Sequence, residues 1–294
     1  MTTPPLTARV AGAPISWGVC EAPDWGVELS ADRVLAEMQA LGLRATELGP
    51  TGFLGATPEE VKATLLRYDL RMIGGFLPVT MHLDPRVDLT DATAAIATLA
   101  AAGAEVVVFA AQSADGSYDH KVQLDDAEWT VLLETLQRLQ EIAGAHGLRS
   151  SVHPHVGTAI EDRASVLRLL DSSDTPICLD TGHLLIGGMQ PLELLAKAAG
   201  RVSHVHLKDV STSVAASVSA GTTSYIDAVR AGLYTPLGEG DLDIAAVVRT
   251  LEQVGYSGWY VLEQDAALYA EPAAGTGPVD DVRRSIEFLT ATAG

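Results

Sequence analysis

One unit recurs along the whole chain and limits what it can fold into. A helical stretch leads to a Gly-containing turn, then to a short apolar strand that ends in polar or Gly-rich residues. LGLRATELGP, YDLRMIGGFLP, AGAEVVVFAA, HGLRSSVHPH, DTPICLDTGH, RVSHVHLKD and GYSGWYVLEQD all follow it, and with an opening strand over Ala8 to Trp17 they predict eight strands. Between them, Val34, Leu35, Met38 and Leu41 fall on one helical stripe, as do Leu132, Leu136, Leu139 and Ala143, and Ile244, Val247, Val248, Leu251 and Val254. Ser30, Thr57 before Pro58, Thr90, and Asp241 or Asp243 read as helix starts.

Strictly alternating strands and helices imply a parallel sheet, because right-handed crossovers return each strand in the same direction. A closed barrel of about 250 residues with extensions fits the 294-residue length. The expected fold class is therefore α/β, a single-domain (β/α)8 TIM barrel over 1–294. An open dinucleotide-binding sheet would need G-x-G-x-x-G after its first strand, and PISWGVCEAPDWG offers no such pattern. One elaboration stands out, an extended Ser/Ala/Thr-rich loop at about 209–243 running into GLYTPLGEGDLD, with a short helix expected over Tyr225 to Gly232. It reads either as a lid or as a surface insertion without catalytic duty.

Charge narrows the partners. With 19 Lys and Arg against 38 Asp and Glu, the formal charge is −19, which speaks against a track for nucleic acid. Runs such as PEEVK and DDAEW are solvated helix faces. The Ala/Val/Leu-rich stretch from Ala92 to Ala111 is broken by Gly103 and Glu105, so it is no membrane span. MTTPPLTARV lacks the basic-then-apolar order of a secretory signal, and two cysteines, Cys20 and Cys178, suit a reducing compartment. The expected location is cytoplasmic, without nucleic-acid or membrane partners; assembly into a homo-oligomer stays open.

Barrel enzymes place their chemistry at the C-terminal ends of the strands. The polar groups expected there are Glu47 on the second strand, His153 and His155 on the fifth, and Asp180 on the sixth with His183 beyond. The seventh strand offers His204, His206 and Lys208, and the eighth Glu263 with Asp265 following. Alternation puts His204, His206 and Lys208 on one face and the apolar Val205 and Leu207 on the other, so the polar trio points into the barrel. The same phase groups His153 with His155, Asp180 with Cys178, and Glu263 with Val261. Asp180, His206, Glu263 and a fifth-strand histidine can thus converge on a divalent cation: Mn2+ or Co2+ by preference, with Mg2+, Fe2+ and Zn2+ also suited. A lone histidine of this kind is as readily a hydrogen-bonded core residue, but four candidates from separate strands favour a metal. Cys178, a buried strand cysteine, is expected to be inert.

LDTGH (179–183), HVHLKD (204–209), PLGEGDLD (236–243) and LEQD (262–265) resemble the xylose-isomerase-like barrels, a superfamily of sugar isomerases, epimerases and dehydratases. APISWG, TELG and HPHVGT are similar more narrowly to the inosose (2-keto-myo-inositol) dehydratase family. The resemblance implies a metal held by a strand-five residue, Asp180, His206 and Glu263. Epimerases of the superfamily place a glutamate on strand five; here SSVHPH has none, so His153 takes that position, with His155 in reserve. Losing one of two opposed glutamates disfavours symmetrical proton exchange and leaves a directional elimination intact. The expected activity is a metal-dependent dehydratase (a carbon–oxygen lyase) acting on a cyclic polyhydroxy ketone, a small keto sugar or inosose. Glu263 or a strand-five histidine would remove the α-proton, and His155 would protonate the departing hydroxyl. Lys208 would stabilise the enolate, and Glu47 would bind substrate hydroxyls. His183 would either support a ligand from behind or contact the substrate, Trp17 and Trp25 would stack on the ring, and Asp209 would orient a ligand or pair with Lys208. The alternatives are a keto-sugar isomerase or epimerase, a lyase of 3-keto-glycosides, an apurinic-site endonuclease (against which the charge speaks) and a sugar-binding protein without catalysis.

Overall fold

The computed structural model describes residues 3–84 and 86–293. Eight parallel strands close into a barrel: β1 (Val10–Gly12), β2 (Ala45–Glu47), β3 (Arg71–Val79), β4 (Val106–Ala111), β5 (Arg149–Val152), β6 (Ile177–Asp180), β7 (Val202–Leu207) and, after a two-stranded excursion of β8 (Asp209–Val210) and β9 (Tyr234–Thr235), β10 (Tyr260–Leu262). The order around the barrel is β1-β10-β7-β6-β5-β4-β3-β2. The outer helices are α1 (Ala31–Ala40), α2 (Pro58–Leu66), α3 (Thr90–Ala102), α4 (Asp126–Ala145), α5 (Arg163–Ser172), α6 (Thr181–Ile186), α7 (Pro191–Ala198), α8 (Thr212–Ser219), α9 (Tyr225–Arg230), α10 (Ile244–Gln253) and α11 (Pro278–Thr292). The expected TIM barrel is present. No helix among the described residues is long and apolar enough to cross a membrane.

Local chemistry sets the boundaries. Ser30 and Asp243 cap α1 and α10 by accepting backbone N–H groups, and Thr57 with Glu60 forms a complete capping box at α2. Thr90 does not cap α3: it is the first helical residue, and Asp88 upstream accepts from its N–H and hydroxyl. The first strand is also shorter than its apolar run. Proline at 14 has no N–H for the ladder, so Pro14–Trp17 coils into a 3-10 turn instead.

Apolar stripes of the helices pack on the outer face of the sheet in one large core that includes Val205 and Leu207. Within the barrel, Ala11, Ala45, Ile73, Trp259 and Val261 form a second cluster, and Val106, Val108 and Cys178 a third. The stretch from 209 to 243 is no open loop. It folds as α8, α9 and the β8–β9 ribbon around an apolar cluster of its own with Trp25, Tyr225, Val229 and Tyr234. Asp209, expected to orient a ligand or to pair with Lys208, serves this segment instead. Its carboxylate accepts the N–H groups of Val210, Gly238, Gly240 and Leu242, tying the PLGEGDLD turn to the end of β7. A side chain at Gly240 would bring a Cβ to 2.3 Å from that carboxylate, which explains the glycine.

Candidate metal centre and active-site cavity

Register brings the polar strand ends together. Asp180 on β6 lies beside His206 on β7, and His206 lies beside Val261 on β10, two residues before Glu263. His153 follows β5 and continues its ladder by donating its N–H to Phe109 O. Ligating atoms of His153, Asp180, His206 and Glu263 all lie within 4.8 Å of one another.

Three of these side chains, Asp180, His153 and His206, have one atom spoken for and another turned to the shared centre. Asp180 caps α6: its Oδ1 accepts from the N–H groups of Gly182 and His183, both at 2.8 Å, while its buried Oδ2 has no hydrogen-bond partner. The Nδ1 of His153 bonds Pro154 O at 2.7 Å, which places its proton there and leaves Nε2 bare, 3.4 Å from Asp180 Oδ2. His206 bonds Glu47 Oε1 through Nε2 at 3.2 Å, and its Nδ1 is buried without a hydrogen bond although Glu263 Oε2 is only 2.8 Å away. Leaving such atoms unpaired costs on the order of 1–3 kcal/mol each. A metal ligand held in orientation by a second hydrogen bond shows this arrangement. The donor set of two imidazoles and two carboxylates therefore fits a divalent cation. Cys178 also lies within reach of His153 and His206; burial pushes its thiol up to about 11, so without a metal it is protonated at neutral pH.

Charges in the centre brace one another. Burial would raise Glu263 and Asp180, yet His206 and Lys208 beside Glu263, and Lys208 and His183 beside Asp180, hold both carboxyls below their usual range. Burial alone would discharge Lys208, but Asp265, Glu263 and Asp180 keep it firmly cationic. Its ammonium donates to Asp265 and lies 2.9 Å from Glu263 Oε2. Gly182 makes room for it, since a Cβ there would sit 2.8 Å from both Lys208 Cβ and the Tyr234 ring.

A cavity of about 580 Å³ opens onto this centre; Glu47, His153, His155, Lys208, Glu263 and Trp25 are among its walls. Glu47 spans the barrel interior. Its Oε1 takes His204 Nε2 at 2.8 Å as well as His206, so only its other oxygen is open to a hydroxyl.

Three expected roles change. Trp17 is wholly buried in the outer core and donates its indole N–H to Glu37 on α1, so it cannot face a substrate. His183 does not line the cavity: it is buried behind His155, 3.9 Å between ring centres. His155 does line it, but its resting ring is neutral and not a cation. Burial and neighbouring His153 push its pKa down to about 3, and with Nδ1 bonded to Val156 O its Nε2 carries no proton at neutral pH.

Two further wall residues lie outside the candidates drawn from the sequence. Tyr118, from the loop after β4, bonds Glu21 at 3.0 Å. Tyr225, from the 209–243 segment, bonds Asp265 Oδ2 at 2.7 Å and the Tyr234 hydroxyl at 2.8 Å. The short helix expected over Tyr225 to Gly232 is present as α9 (Tyr225–Arg230), capped by the serine before it.

Comparison with known proteins agrees with this architecture. The family described as xylose isomerase-like TIM barrel matches residues 35–292. An inosose dehydratase of Geobacillus thermodenitrificans is 30% identical over 293 residues, 96% of each chain. One from Clostridium botulinum is 28% identical over 271 residues, 87% of this chain and 89% of that one. Among solved structures, the IolI protein with a binding zinc atom superposes with a TM-score of 0.69 at 12% identity, covering 97% of both chains.

Proposed function

The chain belongs to the xylose isomerase-like TIM barrel family, and from that premise we propose that it is a metal-dependent dehydratase that eliminates water from a cyclic polyhydroxy ketone such as 2-keto-myo-inositol. The observation that carries the reading is the pair of buried, unpartnered atoms, Asp180 Oδ2 and His206 Nδ1, facing His153 Nε2 and Glu263 Oε2 from four different strands. The names of the near full-length relatives support the choice of reaction.

His153, Asp180, His206 and Glu263 would hold the cation, with Mn2+ or Co2+ suited to this mixed nitrogen and oxygen set. Bound there, it supplies a Lewis acid for the ketone and a neighbouring hydroxyl. Lys208, fixed by Glu263 and Asp265, places a permanent positive charge beside the oxygen on which the enolate develops. His155 takes the α-proton on its bare Nε2. The burial that keeps this ring neutral makes it a reluctant holder, so the proton passes to the β-hydroxyl, which leaves as water. One imidazole thus serves as base and then as acid on one face of the ring. The open oxygen of Glu47 accepts a substrate hydroxyl and orients the ring over the centre.

The test is direct. Metal-loaded protein is mixed with 2-keto-myo-inositol, enone absorbance is followed, and product mass is measured. Loss of one water is the expected result; an isomer of unchanged mass would make the chain an epimerase or isomerase, and unaltered ketone would sink the reading.

A further inference from the structure

One histidine inside the barrel has no duty in the chemistry above. His204 is buried, stands two residues before His206 on β7 and does not line the cavity. An apolar side chain would fill such a place at less cost, because an imidazole taken out of water must keep its hydrogen bonds. Its partner is Glu47, whose Oε1 accepts His204 Nε2 at 2.8 Å and His206 Nε2 at 3.2 Å. One carboxylate oxygen that receives both rings holds a proton on Nε2 of each. It leaves Nδ1 of His206 turned toward Glu263 and Asp180.

These bonds cross the barrel. β1 and β10 lie between β2 and β7 along the wall, so no backbone ladder ties Glu47 to either histidine. The sheet is irregular at both ends of the crossing. Against β6, Val202 pairs with Ile177 but His204 with Cys178, which leaves Ser203 unmatched. Without that extra residue His204 would stand beside Leu179 and face the outer core, where Leu179 and Val202 pack. The Ser203 hydroxyl secures the slip by a 2.8 Å bond to Ser151. Across from it, the β2–β3 ladder skips Ile73, and Glu47 pairs with Gly74, a residue with no side chain to crowd the carboxylate.

We infer that His204 is a positioning residue: it anchors Glu47 across the barrel, and Glu47 so anchored holds the His206 ring with Nδ1 on the cation centre. The inference rests on the metal centre proposed above and extends it to a residue outside the ligand set. Glu47 lines the cavity and has several rotatable bonds. Held only by the longer bond to His206, its carboxylate is free to turn to water, and the ring loses the acceptor behind it. Ligating atoms of Glu47, His204 and His206 also lie within 4.8 Å of one another. A second cation among them would strip both Nε2 atoms of their protons and leave His206 metallated on both nitrogens, so the trio is a hydrogen-bonded brace.

The experiment compares His204→Leu, which fills the volume without a donor, with His204→Gln, whose amide N–H reaches about as far as Nε2. Calorimetry on the metal-free proteins should show Mn2+ binding roughly 10- to 100-fold weaker in His204→Leu and within about threefold of the parent in His204→Gln. Equal affinity in all three, with only folding stability lowered, overturns the brace and makes His204 a packing residue. Two Mn2+ per chain in the parent and one in His204→Leu overturns it in favour of a second cation. Should His204→Leu not fold, His204→Asn replaces it; its amide falls one methylene short of Glu47, and the same loss is expected. Should the parent bind no Mn2+, the metal reading fails and a measurement without metal decides the brace. Exchange of the His206 Nε2–H is then followed by NMR in protein carrying isotope-labelled histidine. Exchange about tenfold faster in the Leu or Asn variant, and restored in His204→Gln, upholds it; equal exchange overturns it.

Discussion

Buried charge occurs at both ends of this barrel, and the two ends treat it in opposite ways. Near the N-terminal end, Arg9 is almost wholly buried and every guanidinium nitrogen is engaged. Nε donates to Pro4 O, Nη1 to the carbonyls of Tyr256 and Gly258, and Nη2 to both oxygens of Glu252. At the mouth, Asp180 and His206 are equally buried, yet each keeps one atom without a partner. Buried atoms of this kind are uncommon, and here two of them converge on one centre. Full satisfaction marks a structural charge, and a convergent shortfall marks a functional one.

The contrast can be broken by exchanging the outcomes. His206→Ala should abolish metal binding and lower kcat/KM on the ketone by about 10³-fold or more while the protein stays folded, as steady-state kinetics with circular dichroism will show. Arg9→Met should do the reverse. It should cost about 2–4 kcal/mol in urea unfolding, reduced from a fully buried pair because Glu252 is partly exposed, and leave kcat near the parent value. Adding Mn2+ at a hundred times its Kd should stabilise the metal-free protein by about 2.7 kcal/mol. That gain should persist in Arg9→Met and vanish in Asp180→Asn; survival in Asp180→Asn would place the cation elsewhere. Tyr225→Phe removes one hydroxyl linking Asp265 to Tyr234, with an expected cost of about 1 kcal/mol and a fall in kcat of less than about tenfold. The smallest effect sharpens the chemistry of the interior. At pH 8, well below the value of about 11 to which burial pushes the Cys178 thiol, that group stays protonated and iodoacetamide should leave it unmodified until the chain is unfolded.

How much of this was legible beforehand follows from the range of the forces involved. The pointing of His204, His206 and Lys208 needs only the two-residue period of a strand, and the parallel alternation supplies the rest of the barrel. Asp180 also shows itself locally, as a carboxylate followed by Thr-Gly at a strand end. Trp17 misled because an aromatic beside a candidate mouth looks the same facing inward or outward; a 3-10 turn after Pro14 rotates it toward Glu37. Tyr225 and Tyr118 come from segments whose positions depend on contacts over 40 to 106 residues of sequence, such as Tyr225 with Asp265 and with Asp119, and no local pattern encodes those. The electrostatics of His155 likewise depends on what surrounds it. The residue was visible as a candidate, but its protonation is fixed by burial against His153.

Asp180 divides two duties between its two oxygens: one starts the α6 helix, the other stands unpartnered among the side chains of His153, His206 and Glu263. Lengthening it by a methylene would disturb the scaffold and the chemistry in the same stroke, so this position has no gradual route to another residue. The shape of the cavity, by contrast, can change through Leu48, Leu77 and Leu99 one methyl at a time. A lineage descended from this enzyme is therefore free to change its diet long before it can change its reaction.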